Sequence, residues 1–192
     1  MITSFYSDEE LAGLGLKSFG SNVLISRKAS IYGAENISIG HDVRIDDFCI
    51  LSGKISIGNY VHIAAYCGLY AGSFGITIKD FAGLSSRCVV YAMTDDFSGE
   101  ALQGPTVPDK FRNVTGGEVV LEKYVNVGTG CTILPGAHLA EGVSVGAMSM
   151  VNRSLKEWGI YFGIPCKRLI DRSKKMLQLG EECIKLTSSR ES

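Results

Sequence analysis

Aliphatic residues return every six positions through Ile39, Ile45, Leu51, Ile57, Ile63 and Leu69. A helix repeats near 3.6 residues and a strand near 2, so neither accounts for the spacing. The pattern pauses after Leu69 and resumes at Ile78, Leu84 and Val90. After a longer pause it returns at Leu121, Val127, Ile133, Leu139, Val145 and Val151. Upstream, Ile25, Ile31 and Ile37 make a less regular first turn. Two residues before most of these positions stands a second small or apolar side chain, such as Val43, Cys49, Ile55, Val61 and Cys67. That is the alternation of a short strand with one face inward. Each six-residue unit therefore predicts a strand and a turn. Ile57-Gly58 repeats Ile39-Gly40 three units on, so three units close one coil. The predicted fold is an all-β solenoid, a triangular parallel β-helix of hexapeptide repeats. Its stacked coils bury one continuous aliphatic column.

The pauses and the ends divide the chain further. "YAGSFGIT" reads as a small bulge. Residues 91–118 form a long excursion with Pro105, Pro108 and several glycines, expected to leave the solenoid and border the active site. "SDEELAG" places Ser7 three residues before Glu10, the spacing of a helix capping box. Residues 1–22 are thus read as an N-terminal arm with a short helix and 23–166 as the β-helix. Residues 167–192 are read as a helix that caps the last coil, ending in the tail "TSSRES".

Composition changes this picture little. The 192 residues suffice for one domain with a sizeable core, and 45% apolar against 20% charged content is ordinary for a globular protein. A net charge of −1 gives no sign of a nucleic-acid partner. No apolar leader opens the chain and no apolar run is long enough to span a membrane, so a cytoplasmic protein is expected. None of the six cysteines forms a C-x-x-C pair, which speaks against zinc and for reduced thiols. Cys49, Cys67, Cys88 and Cys131 share one face in the repeat register. A row of small buried side chains is the expected reading, because a straight ladder offers no tetrahedral metal site.

A solenoid could be purely structural, so function has to come from a site. The pieces "VGTGCTILPG", "VGAMSMV" and "GIPCKRL" between Val125 and Leu169 resemble the C-terminal signature of hexapeptide-repeat acyltransferases, whose β-helix is left-handed. The arm and the loop "TDDFSGEALQGPTVP" further resemble bacterial surface-polysaccharide sugar acetyltransferases, in particular those acting on dTDP-4-amino-4,6-dideoxyglucose. The resemblance implies a homotrimer with acetyl-CoA lying outside the helix, between two subunits. It implies that Gly128 and Thr129 line the pantetheine, that the Ala147 backbone bonds its amides, and that Arg153 and Lys167 meet the CoA phosphates. Turn geometry is the competing reading for Gly128, and solvated surface charge for the two cations.

The family's usual catalytic histidine at the start of the excursion is missing. The chain has "MTDDF" there, with Asp95 and Asp96. Of its three histidines, His41 and His138 read as surface residues near turns. His62 points outward and, by the resemblance, falls near the acceptor pocket. A sugar hydroxyl needs a base that titrates near neutrality, and an ordinary aspartate, near 3.9, is a poor one. An amine is already nucleophilic when neutral. Asp95, Asp96 and His62 as candidate catalytic residues thus lean toward N-acetylation of a nucleotide-linked amino sugar. O-acetylation of a galactoside, with His62 as base, and a non-catalytic scaffold remain as alternatives.

Overall fold

A computed structural model describes residues 4–188 of the chain; residues 189–192 of the expected tail lie outside it. The six-residue period becomes three columns of stacked aliphatic side chains. One column runs Ile25, Ile45, Ile63, Leu84, Val127, Val145, Tyr161 along paired parallel strands. A second runs Ile31, Leu51, Leu69, Val90, Ile133, Val151. The third runs Phe19, Ile39, Ile57, Ile78, Leu121, Leu139. From Ile39 onward nearly every member is fully buried. The pause after Leu69 is the expected bulge: Gly68–Ile78 runs as one strand beside Ile50–Ile57, and register shifts near Gly53 absorb the extra residues.

The cysteine row is a packing column. Cys49, Cys67, Cys88 and Cys131 are buried. Their thiols donate to Ala64 O at 3.2 Å and to Ser85, Gly128 and Gly146 O at 3.1 Å each. Every acceptor lies in a turn of the next coil, so the row ties coil to coil. Neighbouring thiols, with burial, push Cys67 and Cys131 well above the usual thiol range.

The turns follow a second pattern. Tyr60, Phe81, Tyr124 and Trp158 occupy one corner of the solenoid with φ of 57, 59, 63 and 49°, and Gly142, φ 68°, takes that corner in the coil between Tyr124 and Trp158. A left-handed backbone costs an L-residue roughly 1–2 kcal/mol. The rings offset it by stacking Tyr60 on Phe81 and Phe81 on Tyr124, with centroids 4.6 and 5.2 Å apart, and by a tilted Tyr124–Trp158 contact at 6.3 Å. Such pairs contribute about 0.5–1.5 kcal/mol each beyond the area they bury.

The C-terminal region departs from expectation. The helix does not begin at Lys167: Cys166–Asp171 is a strand, paired antiparallel with Gly159–Gly163 of the last coil. A strand satisfies the open edge groups of a solenoid one for one, which a helix cannot do. The helix, α2, spans Met176–Ser188 and lies along the side of the solenoid. Gly180 abuts Tyr124, and Thr187 Oγ1 sits 2.5 Å from the Tyr60 hydroxyl. Seven residues at a rise of about 1.5 Å equal two coil spacings of about 4.8 Å, so α2 runs back beside the aromatic row.

At the other end the short helix α1, Asp8–Gly13, has the expected capping box between Ser7 and Glu10. Arg27 donates to both Glu10 oxygens at 2.6 and 2.5 Å. That pairing, with the Ser7 backbone, holds the Glu10 carboxyl down at about 2. The excursion leaves after Val89–Tyr91, and its neck is closed by Met93–Thr94 pairing antiparallel with Thr115–Gly116.

Candidate active site

Two clefts flank the solenoid. The first, about 550 Å³, opens between α2 and the face that carries His62. Tyr60, Phe81 and Tyr124 of the aromatic row line it with Arg172 and Met176, and its polar lining includes His62, Ser85, Ser86 and Asn126. The second, about 770 Å³, lies beneath the excursion and is lined by Tyr70, Tyr91, Met93, Asp95, Phe97 and Leu134 among others. No lining residue is common to the two. One chain therefore does not bring His62 and Asp95 together.

His62 points outward, as its place before the buried Ile63 dictates. Its Nε2 is 2.8 Å from Asp46 Oδ2, and Arg44 Nε donates to Asp46 Oδ1 at 2.7 Å. Partial burial raises the Asp46 pKa, but the hydrogen bonds from His62 and Arg44 outweigh it and leave the carboxyl below its ordinary value. His41 and His138 are exposed; their rings contact Ser21 and Glu122.

The adjacent aspartates separate cleanly. Asp95 faces the second cleft, held by Arg112 Nη2 and the Gly104 N–H, both at 3.3 Å. Asp96 turns back into its own loop. It accepts from the backbone N–H of Ser98, Gly99, Glu100 and Ala101 and from the Ser98 hydroxyl. A carboxylate has about four lone-pair sites, so little is left for a substrate. The Ser98 hydroxyl, foremost, and the backbone donors hold its pKa below the usual carboxylate value. Asp96 lines neither cleft.

Gly128, Thr129 and Ala147 do come together, on one corner of successive coils. A Cβ on Gly128 would lie 2.6 Å from the Ala147 nitrogen, so close approach of the next coil's backbone requires glycine there. The Met148 N–H donates to Thr129 O at 2.8 Å, and Thr129 Oγ1 donates to Ser86 O at 2.6 Å. Lys167 is exposed on the terminal strand opposite Phe162, and Phe162 lies under Gly146 of the same corner. Arg153 is exposed beyond Met150–Val151, on a different corner. Among the described residues no cluster of His, Cys, Asp and Glu gathers as a metal site would.

Three cleft residues, Ser85, Ser86 and Arg172, escape sequence reading, as does Arg112 beside Asp95. Ser85 and Ser86 look like ordinary turn residues in "AGLSSRC". Arg112 has a buried Nε without a partner among the described residues, which marks a guanidinium enclosed by the excursion. Arg172 donates to Tyr124, Gly142 and Val143 carbonyls at 2.7, 3.1 and 3.4 Å, and burial depresses its pKa. Only folding reveals any of these contacts.

No protein-family model matches the chain. It is, however, 44% identical over 178 residues to a dTDP-4-amino-4,6-dideoxy-D-glucose acyltransferase of Escherichia coli, covering 91% of this chain and 92% of that one. The chain belongs to the dTDP-4-amino-4,6-dideoxy-D-glucose acyltransferase family. Solved structures of AntD, an N-acyltransferase from Bacillus cereus, superpose on it closely. The AntD complex with dTDP and 3-hydroxybutyryl-CoA has a TM-score of 0.94 and 54% identity, covering 97% of this chain and all of that one. A serine-to-alanine AntD variant holding dTDP-4-amino-4,6-dideoxyglucose and CoA has a TM-score of 0.93 and 54% identity, over 96% and 99% of the two chains. Other AntD structures replace an aspartate ten positions after that serine. The hexapeptide acyltransferase expectation is thereby met.

Proposed function

We propose that this acyltransferase moves the acyl group of acyl-CoA onto the 4-amino group of dTDP-4-amino-4,6-dideoxyglucose. The observation that carries the reading is near full-length similarity to the E. coli enzyme and to AntD complexes with this sugar and CoA. The serine and aspartate replaced in AntD have a counterpart pair here at the same spacing. Ser85 lies ten residues before Asp95, and each lines a cleft. Ser86 and Asp96 share the spacing, but Asp96 is committed to its own loop. Asp95 orients the amine and Ser85 adds a hydroxyl to the same substrate. The neutral amine attacks the thioester carbonyl, the N–C bond forms, the C–S bond breaks, and CoA leaves as a thiolate that takes up the proton.

The finer terms of the reading are these. Ser85 and Asp95 line different clefts of one chain, so a substrate touched by both is held between two chains. This supports a homotrimer with CoA between subunits, its pantetheine along Gly128, Thr129 and Ala147 and its phosphates near Arg153 and Lys167. Acetyl-CoA is the donor and surface polysaccharide such as O-antigen the destination of the product, made in the cytoplasm. The test is CoA thiol release with acetyl-CoA and 3-hydroxybutyryl-CoA against dTDP-4-amino-4,6-dideoxyglucose and simple galactosides. Release with the amino sugar and a hydroxylamine-stable amide product are expected. Release with galactosides alone, giving a hydroxylamine-labile ester, overturns the reading.

A further inference from the structure

Asp95 is engaged with a cation of its own loop. The neck strands Met93–Thr94 and Thr115–Gly116 pair antiparallel, which sets the residues just beyond them side by side. Asp95 follows one strand, and Arg112 stands shortly before the other. The Arg112 backbone is fixed in turn, by its N–H on Asp109 O at 3.0 Å and by the Leu102 N–H on Phe111 O at 2.8 Å. The Arg112 side chain is 14% exposed and donates through Nη2 to Asp95 Oδ1 at 3.3 Å. The Gly104 N–H reaches Asp95 Oδ2 at the same distance. The second ion pair of Arg112, with Asp109, involves a carboxylate that is 99% exposed and screened by water. Asp95 is therefore the carboxylate whose charge Arg112 opposes. One bond falls on each Asp95 oxygen, so lone pairs remain on both, and the side chain lines the second cleft.

We propose that Arg112 is a positioning residue for acyl transfer: it fixes the Asp95 carboxylate in the cleft and cancels its charge, so that the amino sugar is held as the free amine. This rests on the function proposed above. An aliphatic amine in water is largely protonated at neutral pH, and the ammonium form has no lone pair to offer the thioester. A carboxylate standing alone beside the amine would favour that unreactive form, because an opposite charge within about 4–6 Å stabilises the charged state. Paired with the guanidinium, the carboxylate still accepts a hydrogen bond from an amine N–H but presents little net charge to hold an ammonium. The bonds from Arg112 and Gly104 also fix the plane of the carboxylate, so the amine is met in one orientation. Glu100 and Lys110 share a groove with Arg112, and Asp109 stands on its other nitrogen. Tyr70 and Tyr91 are the titratable groups across the second cleft, while Asp96 is turned into its own loop. In a site shared between two chains, His62 and Arg172 of the first cleft complete the charged surroundings.

The test is the pH dependence of kcat with the amino sugar as acceptor. Arg112→Met leaves the carboxylate unopposed, so the bound amine keeps its proton longer. The acid limb should move to higher pH by about one unit, with kcat at neutral pH down roughly 10-fold or more and KM for acyl-CoA little changed. Arg112→Lys keeps the charge without the planar fork, so kcat should fall while the limb stays in place. Asp95→Asn keeps an oxygen for the guanidinium and removes the negative charge, so its limb should move to lower pH. Combining Asp95→Asn with Arg112→Met should return the limb to about its wild-type position. A guanidinium that only braces the loop would lower kcat or stability without moving any limb. An unmoved limb in Arg112→Met, or an equal displacement in Arg112→Lys, overturns the proposal. The pair is read separately by nitrogen NMR of the free wild-type protein, where hindered rotation should resolve the Arg112 Nη groups and Asp95→Ala should merge them. A freely rotating guanidinium in wild type also overturns it, whatever the acceptor proves to be. Absence of acyl transfer to the amino sugar by wild type, with the guanidinium held, would instead sink the proposed function.

Discussion

Asp95 and Asp96 are chemically identical neighbours that the fold assigns to different tasks. Asp95 keeps a carboxylate oxygen turned to a cleft, while Asp96 spends its oxygens on four backbone N–H groups and a hydroxyl. Their substitutions should therefore separate. Asp95→Asn should cut kcat by about 100-fold with an unchanged melting temperature, since it alters a group in the site and few internal contacts. Asp96→Ala should leave several N–H groups unpaired and loosen the excursion. Its signature is a raised KM and faster proteolysis within residues 91–118, with kcat less affected. The reverse assignment of effects would show that Asp96 is the residue touching substrate. Nothing in "MTDDF" distinguishes the two, because the difference lies in where the loop turns back, between Ser98 and Ala101.

Helix α2 shows how an element can read one way locally and act another way in the fold. Gly180 in the middle of a helix is ordinarily a weak point, and Gly→Ala there is ordinarily stabilising by about 1 kcal/mol. Here a Cβ would run into the Tyr124 hydroxyl. That ring is stacked on Phe81 and flanked by the tilted Trp158, and has no easy way to move. Gly180→Ala is therefore expected to lower the melting temperature and to expose the C-terminal segment to protease, against the propensity trend. An unchanged or higher melting temperature would mean that α2 is not seated on the aromatic row. Because Met176 and Arg172 line the first cleft, the same variant should also weaken substrate binding.

At the scale of the whole molecule, the two clefts of one chain are incomplete halves if Ser85 and Asp95 meet one substrate. In a symmetric ring each site then takes its serine from one copy and its aspartate from the next. Ser85→Ala and Asp95→Asn should each be nearly inactive alone. Unfolding and refolding an equal mixture should restore activity to about a quarter of wild type, the fraction of junctions that pair two intact halves. Light scattering on the wild type should report three copies. No recovery on mixing would place both residues in a site within one chain.

The repeat was fully legible in the sequence. A six-residue aliphatic period is a local property: each strand must turn one side chain inward, so coil count, columns and the cysteine row all follow from spacing. The excursion and the capping box were legible for the same reason. Tertiary structure alone decided what depends on residues far apart in the chain. It set the terminal strand rather than a helix on the last coil, because an open sheet edge is satisfied by another backbone. It laid α2 against Tyr60 and Tyr124, rings two coils apart, which no local pattern encodes. It also turned Asp95 outward, folded Asp96 inward and set Asp46 behind His62 from the neighbouring coil. Side-chain direction at a site is fixed by contacts across coils, and spacing along one strand carries no record of them.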